Sequence, residues 1–214
     1  MTDAMPPTQR FWEDFYRDPD RPHSPVGKLN ALLVAEAGSL TPGTALDLGC
    51  AEGSDAIWLA RQGWRVTAVD VSGTALGRAA ERAADAGVAE LIDWQRHDLS
   101  ESFPSGEFDL VSAQFLHSPD DHDGRRESIL RRAAQAVAPG GVLLISGHAG
   151  WPSWNHEPPE GIELPSNAEV LDSLRLEPGG WRVERDEVLV RESTGPEGQL
   201  GTREDGILRI RRLR

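Results

Sequence analysis

The chain contains a single cysteine, Cys50, in 214 residues. One cysteine cannot close a disulfide within the chain, and it provides none of the paired spacings that mark a zinc site. Cys50 lies in a glycine-containing segment, where a free cysteine is more often a small apolar filler than a reactive thiol. The sequence therefore predicts neither a disulfide framework nor a metal centre.

Positive charge is also scarce, because 22 Lys and Arg stand against 35 Asp and Glu and the net charge is −13. Nucleic acids and anionic membrane surfaces are bound by clustered basic side chains, so the composition predicts no nucleic-acid partner and no membrane partner. The sequence shows no apolar run long enough to span a membrane and no signal peptide. We therefore expect a cytoplasmic protein.

Two charged clusters have alternative interpretations. Segment 120–123, with three aspartates around His122, superficially resembles a metal-ligand cluster, but acids also suit the first turn of a helix, which is the interpretation we favour. Near the C-terminus, arginines alternate with apolar residues: Arg209, Arg211, Arg212 and Arg214 with Leu208, Ile210 and Leu213. This alternation favours the solvent face of an edge strand over a nucleic-acid site.

Short apolar strands alternate with helices through the middle of the chain. The predicted strands are 44–48, 64–69, 91–94, 108–113 and 142–146. This order is typical of a doubly wound α/β fold with a parallel sheet and helices on both faces. Two later strands, 181–191 and 206–212, predict a C-terminal hairpin that adds an antiparallel strand at the far edge.

We predict one domain over residues 1–214 with three parts. Residues 1–40 form an N-terminal helical cap, in which Trp12 and Tyr16 belong to an aromatic cluster at helical spacing. Residues 41–147 form the core that binds a cofactor. Residues 148–214 contain a loop that acts as a lid, a short helix and the terminal hairpin.

The segment 47–53, Asp-Leu-Gly-Cys-Ala-Glu-Gly, is the most informative part of the sequence. The segment is typical of a strand end followed by a glycine turn and the start of a helix. The glycine turn lets the backbone approach a ligand closely, and the free N–H groups of the helix point to the same place. Asp70 ends the next strand, where a carboxylate can accept hydrogen bonds from a ribose diol. The pattern predicts a nucleoside cofactor across the strand ends. A nicotinamide fingerprint has three glycines as Gly-x-Gly-x-x-Gly, whereas Ala51 holds the middle position here.

These residues, with Asp98, the strand 108–111 and Pro139-Gly140-Gly141, resemble the class I S-adenosylmethionine-dependent methyltransferases. Within that family the chain looks similar to the small-molecule enzymes of the tellurite-resistance and thiopurine type. The resemblance implies a Rossmann-like, mostly parallel seven-stranded sheet with a C-terminal antiparallel hairpin strand. It also implies S-adenosylmethionine as cofactor and S-adenosylhomocysteine as product.

The resemblance further implies roles for individual residues. Asp47 would serve the amino-acid end of the cofactor, Asp70 the ribose hydroxyls and Asp98 the adenine amino group. The remaining cofactor contacts would come from Gly49, Cys50, Ala51, Gly53, Val71, Leu99 and Gln114. Ala51 departs from the family pattern, because its methyl group narrows the approach to the cofactor and disfavours a positive φ.

The acceptor site is less defined by the sequence. His117 and His148 follow the fourth and fifth strands, so both are weak candidates for a catalytic base or for acceptor contacts. Trp12, Tyr16, Trp151 and Trp154 are candidates for an aromatic lid, although Trp12 and Tyr16 equally fit ordinary packing. We predict that His97, His122 and His156 are surface residues. Asp109, at the start of the fourth strand, is predicted to be structural.

The sequence thus predicts transfer of a methyl group from S-adenosylmethionine to a small-molecule acceptor by in-line displacement. A nicotinamide-dependent oxidoreductase and a catalytically inactive cofactor-binding or interaction module are the alternatives. Neither the acceptor nor the oligomeric state follows from the sequence.

Overall fold

The computed structural model describes residues 5–19, 29–117, 124–155 and 164–214. The predicted helix start at 120–123, together with His122 and His156, lies outside these residues. The helices are α1 (Pro7–Arg17), α2 (Ala31–Ala37), α3 (Ser54–Arg61), α4 (Gly73–Asp85), α5 (Arg125–Gln135) and α6 (Asn167–Ser173). The strands are β1 (Thr44–Leu48), β2 (Arg65–Asp70), β3 (Ile92–Arg96), β4 (Phe108–Gln114), β5 (Val137–His148), β6 (Trp181–Thr194) and β7 (Leu200–Arg212).

The strands form one seven-stranded sheet in the order β3-β2-β1-β4-β5-β7-β6. The first five are parallel, with Leu46 of β1 opposite Thr67 of β2 on one side and Val111 of β4 on the other. β7 is antiparallel to both β5 and β6. The predicted Rossmann-like, mostly parallel sheet with an antiparallel C-terminal hairpin is confirmed.

The two faces of the sheet bury separate apolar clusters because side chains alternate along each strand. Ala45 joins the cluster under α2, α3 and α4, whereas its neighbour Leu46 joins the cluster under α5 and α6. Both residues are fully buried. The helices therefore cover both faces and leave the ends of the strands open for ligands.

Local hydrogen bonds define the ends of the elements. The Ser72 hydroxyl accepts a hydrogen bond from the Ala75 N–H at 3.2 Å and so caps α4. Gly87, with φ +72°, follows the end of that helix. Asp109 accepts hydrogen bonds from Thr44 through both its backbone N–H, at 2.8 Å, and its hydroxyl, at 2.9 Å, which confirms its structural role.

The arginine-rich strand β7 lies inside the sheet, so its predicted placement at the edge is wrong. β6 pairs with its outer side and takes the edge position. Leu208 and Ile210 are buried, while Arg211 donates to Glu184 of β6 at 2.5 Å. Hydrogen bonding by Arg211 is the main reason that the pKa of Glu184 falls to about 2. Glu184 of the hairpin also pairs with Arg209 at 3.0 Å, so one glutamate engages two of these arginines inside the sheet.

Several strand boundaries differ from prediction, and β5 and β7 both begin earlier than expected. β5 begins at Val137, so it includes the Pro139-Gly140-Gly141 turn, and Gly140 takes φ +82°. The register between β4 and β5 shifts between Phe108 and Leu110 to accommodate the extra backbone. Among the described residues, no helix is long and apolar enough to cross a membrane.

Candidate functional site

Two cavities meet at the carboxyl ends of the parallel strands. The first, of about 330 Å³, lies towards β2 and β3, and the second, of about 810 Å³, lies towards β5 and the β6–β7 hairpin. Residues lining both are Tyr16, Gly49, Ala51, Gln114 and Phe115. The cavities are therefore two chambers of one cleft at the end of β1 and β4.

The turn after β1 keeps three residues in the left-handed region. Gly49, Ala51 and Gly53 have φ values of +70°, +51° and +81°. Ala51 adopts the positive φ that its methyl group disfavours, and its N–H donates to Asp70 Oδ2 at 3.0 Å. This hydrogen bond helps to stabilise the strained residue and ties the turn to the end of β2.

Replacement of Gly53 by alanine is expected to destabilise the fold by about 1–3 kcal/mol. A β-carbon there would lie 2.6 Å from Trp94 Cη2 and 2.8 Å from Ala79 Cβ. Gly77 provides the matched control, because a β-carbon there meets nothing within 4 Å and the residue lies inside a helix. In urea unfolding, the free energy of unfolding should be lower than that of the wild type for G53A and higher by about 0.5–1 kcal/mol for G77A. Equal stability of G53A and the wild type would contradict the packing.

Two acidic residues lie beside the first cavity, as the sequence predicts. Asp70 accepts hydrogen bonds from Ala51 N–H and from Ser72 N–H, the latter at 2.9 Å. Burial raises its pKa. Asp98 accepts from the Ser100 N–H at 3.0 Å and hydroxyl at 2.6 Å. Val71 and Leu99 line the same cavity.

Asp47 presents an unpaired carboxylate oxygen. The side chain lines the second cavity, its residue is 2% exposed, and Oδ2 has no hydrogen-bond partner among the described residues. Asp55 lies nearby and accepts from the Asn30 N–H at 3.0 Å. Burial, followed by the charges of Asp55 and Asp70, raises the pKa of Asp47 well above its ordinary range. Such a site favours a cationic ligand group, which would restore the ionised form.

Gln114 is held firmly between the two chambers. Its Oε1 accepts from Asn30 Nδ2 at 2.9 Å and from the Ser146 hydroxyl at 2.5 Å. Its Nε2 donates to the Leu144 carbonyl at 3.3 Å. The next residue, Phe115, has φ +48°, which turns the chain away from β4 at this point. Cys50 also lines the second cavity, and burial raises the pKa of its thiol, as expected of a packing residue.

Helix α1 covers the first cavity with Trp12 and Tyr16. Glu13, which lies between them in the sequence, is buried and attaches the helix to the N-terminus of α4. Its carboxylate accepts from the Ser72 hydroxyl at 3.0 Å and from the Gly73 N–H at 2.9 Å. Arg96 adds an ion pair at 3.3 Å. The aromatic cover is therefore fixed by a carboxylate bound at a helix N-terminus.

The structure brings the two candidate histidines together and places Trp151 away from them. His148 lines the second cavity, and its Nδ1 lies 2.9 Å from Asp205 Oδ1. His117 lines the first cavity, and its ring stacks on His148 with centroids 5.5 Å apart. Trp151 lies outside the residues that line either cavity, because the chain after His148 follows β7 through a hydrogen bond from Ser153 to Thr202 at 3.0 Å.

Trp154 also lies away from the cavities. The Arg203 guanidinium lies over its ring, 5.2 Å from the ring centroid. The predicted aromatic lid thus consists, among the described cavity-lining tryptophans and tyrosines, of Trp12 and Tyr16.

His97, predicted to be a surface residue, is partly exposed and also contributes to the site. His97 is half-buried in the wall of the first cavity, where its Nδ1 lies 2.8 Å from Ser102 Oγ and its Nε2 lies 3.0 Å from Gln95 Oε1. The end of β3 turns the ring inward, a placement that the sequence around it does not signal.

Several site residues have no local signal in the sequence: Glu13, Asn30, Asp55, Phe115, Arg191 and Asp205. Asp55 belongs to the first turn of α3, where an acid is expected for helix reasons alone. Asp205 reaches the site only because β7 pairs with β5 in one register, opposite His148.

Comparison with known proteins agrees with this geometry. Residues 45–141 match the model of the family described as methyltransferase domain. A ribosomal RNA small subunit methyltransferase C of Alcanivorax borkumensis is 34% identical over 110 residues, which are 49% of this chain and 32% of that protein. A ubiquinone biosynthesis O-methyltransferase of Dechloromonas aromatica is 29% identical over 143 residues, 64% of this chain and 57% of that protein.

The chain therefore spans between a third and somewhat over half of these relatives. The N-methyltransferase NodS of Bradyrhizobium japonicum, in complex with S-adenosylhomocysteine, has the same fold with a TM-score of 0.67 and 18% identity. The superposition covers 97% of this chain and 99% of that one.

The strand order and the helices on both faces give the Rossmann-like fold of methyltransferases such as NodS. Residues 45–141, which are less than half of the chain, match a methyltransferase domain, and this agrees with the predicted resemblance to the class I S-adenosylmethionine-dependent methyltransferases. The residues present fit that cofactor, because the buried, unpaired oxygen of Asp47 can receive its ammonium group.

Proposed function

We propose that this protein transfers a methyl group from S-adenosylmethionine to a small-molecule acceptor. The observation that carries the proposal is the unpaired Asp47 carboxylate on the cavity wall beside the glycine turn. A buried carboxylate of this kind is stabilised by a cation. The bound cofactor supplies an electrophilic methyl group, so the chain's own residues chiefly bind and align.

We assign the cofactor contacts residue by residue. Asp47, beside Asp55, receives the ammonium group of the cofactor. Asp70 receives the ribose hydroxyls and Asp98 the adenine amino group. The other contacts are backbone at Gly49, Cys50, Ala51 and Gly53, apolar cover from Val71 and Leu99, and the rim residue Gln114.

The division of the chain follows from these assignments. Residues 1–40 provide the cap, in which Trp12 and Tyr16 exclude water from the cleft. Residues 41–147 hold the cofactor, and residues 148–214 supply one wall of the acceptor chamber through the hairpin. Alignment of this kind is worth effective molarities on the order of 10⁵–10⁸ M, or about 7–11 kcal/mol of barrier.

A small acceptor suits the cleft better than RNA does. One matched relative is named for ribosomal RNA. This chain, however, has a net charge of −13, and its second cavity presents Asp47 and Asp55 to any ligand. A polyphosphate would be repelled by these groups.

Thermal unfolding with added ligands tests the proposal. Saturating S-adenosylhomocysteine should raise the melting temperature, by about 2–4 °C for each kcal/mol of binding free energy. NAD should have no effect, because the glycine turn lacks a third glycine and Asp47 repels its pyrophosphate. No shift with millimolar S-adenosylhomocysteine, or an equal shift with NAD, would overturn the assignment. Mass spectrometry of a panel of acceptors separates an enzyme from an inactive module, which would bind the ligand and methylate nothing.

A further inference from the structure

We propose that His148, oriented by Asp205, removes the proton of a neutral acceptor as its methyl group is added. The acceptor is thereby a hydroxyl, thiol or amine that reaches the cleft with its hydrogen still attached. This inference rests on the proposed methyl transfer. It adds the base and the charge state of the acceptor.

The β-sheet register brings the two residues together. β5 and β7 run antiparallel, and His148 lies directly opposite Asp205 in the ladder. The distance of 2.9 Å between His148 Nδ1 and Asp205 Oδ1 is that of a hydrogen bond. Asp205 is 2% exposed, and Arg191 of β6 donates to its second oxygen, Oδ2. The carboxylate is therefore held in place from two sides.

This contact determines which nitrogen is available. When Nδ1 carries the hydrogen that points at Asp205, Nε2 retains its lone pair. Among the described residues, Nε2 of His148 has no hydrogen-bond partner. General bases use this arrangement, in which one ring nitrogen of a histidine donates to a buried carboxylate and the opposite nitrogen is left to accept a proton.

The ring of His148 is also fixed by its neighbours. Phe115 packs against it with ring centroids 4.8 Å apart, and His117 stacks on it. Phe115 takes a positive φ to reach this position. Backbone strain in a bulky residue is uncommon and is retained where the surroundings require it, often at functional sites. His148 therefore forms a rigid wall of the same chamber that Asp47 lines.

The charges in the second cavity decide the acceptor class. Arg191 pairs with Asp205, and Arg82 pairs with Glu52 at 2.9 Å, so both cations are already neutralised. Asp47 and Asp55 remain as acids on the cavity wall. Among the described residues of this cavity, neither arginine is left unpaired to hold an anionic acceptor, and a neutral acceptor needs no such partner. A neutral acceptor must lose a proton during the transfer, and His148 is placed to take it.

The step balances without another reactant. For a hydroxyl or thiol acceptor, the X–H bond breaks, its proton moves to Nε2 of His148, and the electron pair left on X forms the X–CH₃ bond. For an amine, the nitrogen lone pair forms the N–CH₃ bond, and the proton of the resulting ammonium then moves to Nε2. In both cases the bond between carbon and sulfur breaks and its pair returns to sulfur. The imidazolium, stabilised by Asp205, then gives its proton to solvent. The charged and titratable groups facing it are Asp205, Arg191, His117 and Arg126.

Two substitutions test the proposal. In H148N, the amide can still donate to Asp205, but the accepting nitrogen is lost. In D205N, His148 remains but loses its orienting carboxylate. D186N is the matched control, because Asp186 lies exposed on the same hairpin and outside both cavities.

The first measurement is independent of catalysis. Long-range ¹H–¹⁵N NMR of the ligand-free protein at pH 8 should show one histidine, absent from H148N, protonated at Nδ1 and not at Nε2. D205N should change that tautomer and D186N should not. Protonation of His148 at Nε2 in the wild type would overturn the proposal.

The second measurement is kinetic, with a catechol, an aromatic thiol and an aromatic amine as probes. H148N should lower kcat by roughly 10²–10⁴ and abolish the rise of kcat with pH, while D205N lowers kcat by a smaller factor. The affinity of H148N for S-adenosylhomocysteine, measured by calorimetry, should stay within about twofold of the wild type, because His148 lies outside the proposed cofactor contacts.

Unchanged kcat in H148N would refute the role of His148 as the base and leave the proposed methyl transfer standing. Failure of the wild type to bind S-adenosylhomocysteine would refute the proposed function itself. If the wild type methylates none of the probes, the tautomer measurement decides.

Discussion

Replacement of Asp47 by asparagine is expected to weaken binding of S-adenosylhomocysteine roughly 10- to 100-fold, because a hydrogen bond to a charged group contributes about 1.5–3 kcal/mol. The same change should stabilise the ligand-free protein by about 1–3 kcal/mol. The physical reason is that Asp47 is a buried carboxylate with an unpaired oxygen beside Asp55 and Asp70. The residue thus lowers stability in exchange for cation binding.

The pH dependence gives this prediction a sign. A raised pKa means that ionising Asp47 costs the folded protein more than the unfolded chain. Below its ordinary pKa of 3.8, Asp47 is protonated in both states, and it carries no penalty. As the pH rises through the pKa of the folded protein, the wild type loses stability that D47N keeps. The free energy of unfolding of D47N should therefore exceed that of the wild type by an amount that increases with pH and then levels off.

Asp109 provides the matched control, because it is an aspartate at the opposite end of the strands. It accepts two hydrogen bonds from Thr44 and touches neither cavity. D109N should lose about 1 kcal/mol of stability and keep its affinity for S-adenosylhomocysteine. Chemical denaturation and calorimetry measure both quantities. Weaker binding by D109N, or unchanged binding by D47N, would contradict the assignment.

Replacement of Glu13 by glutamine is expected to release helix α1 from the core and to cost about 2–4 kcal/mol. Glu13 is 3% exposed, and its carboxylate accepts hydrogen bonds from Ser72, Gly73 and Thr74. These donors belong to the N-terminus of α4, where a negative charge is favoured. An amide would meet the N–H groups with one neutral oxygen and no charge.

Release of α1 should be seen at Trp12, which covers the first cavity and whose fluorescence should shift towards that of a solvated indole. Although burial opposes it, hydrogen bonds from Thr74 and Ser72 lower the pKa of Glu13 below 4.5. The stabilisation is thus complete above pH 4.5 and is lost as the pH falls through the lower pKa of the folded protein. The exposed neighbour Asp14 gives the control, since D14N should change neither stability nor fluorescence. A normal signal in E13Q would show that α1 docks by its aromatic residues alone.

Local signals account for what the sequence predicted correctly. Short apolar runs predict β1 and β2, with Asp47 one residue before the end of β1 and Asp70 at the end of β2. The order of strands and helices then requires a parallel sheet, and parallel strands place their carboxyl ends on one edge. The edge of the sheet at which the cleft lies was predictable for that reason.

Contacts between distant segments account for what was missed. His148 and Asp205 are 57 residues apart, and Glu13 lies 59 residues before Ser72. Arginines alternate with apolar residues along β7, and this pattern fits an edge strand as well as an inner one. Alternation shows which residues share a face of the sheet, but it does not show which strands are the neighbours.

The sequence by itself determined the class of fold, the approximate strand ends and the acidic residues beside the cleft, because each depends on hydrophobic period and on turns within a few residues. Only the tertiary structure decided that β7 lies inside the sheet, that Glu13 holds the cap, and that Asp205 supports His148. These three depend on which strand or helix end packs beside which, and long-range pairing carries no local mark in the chain.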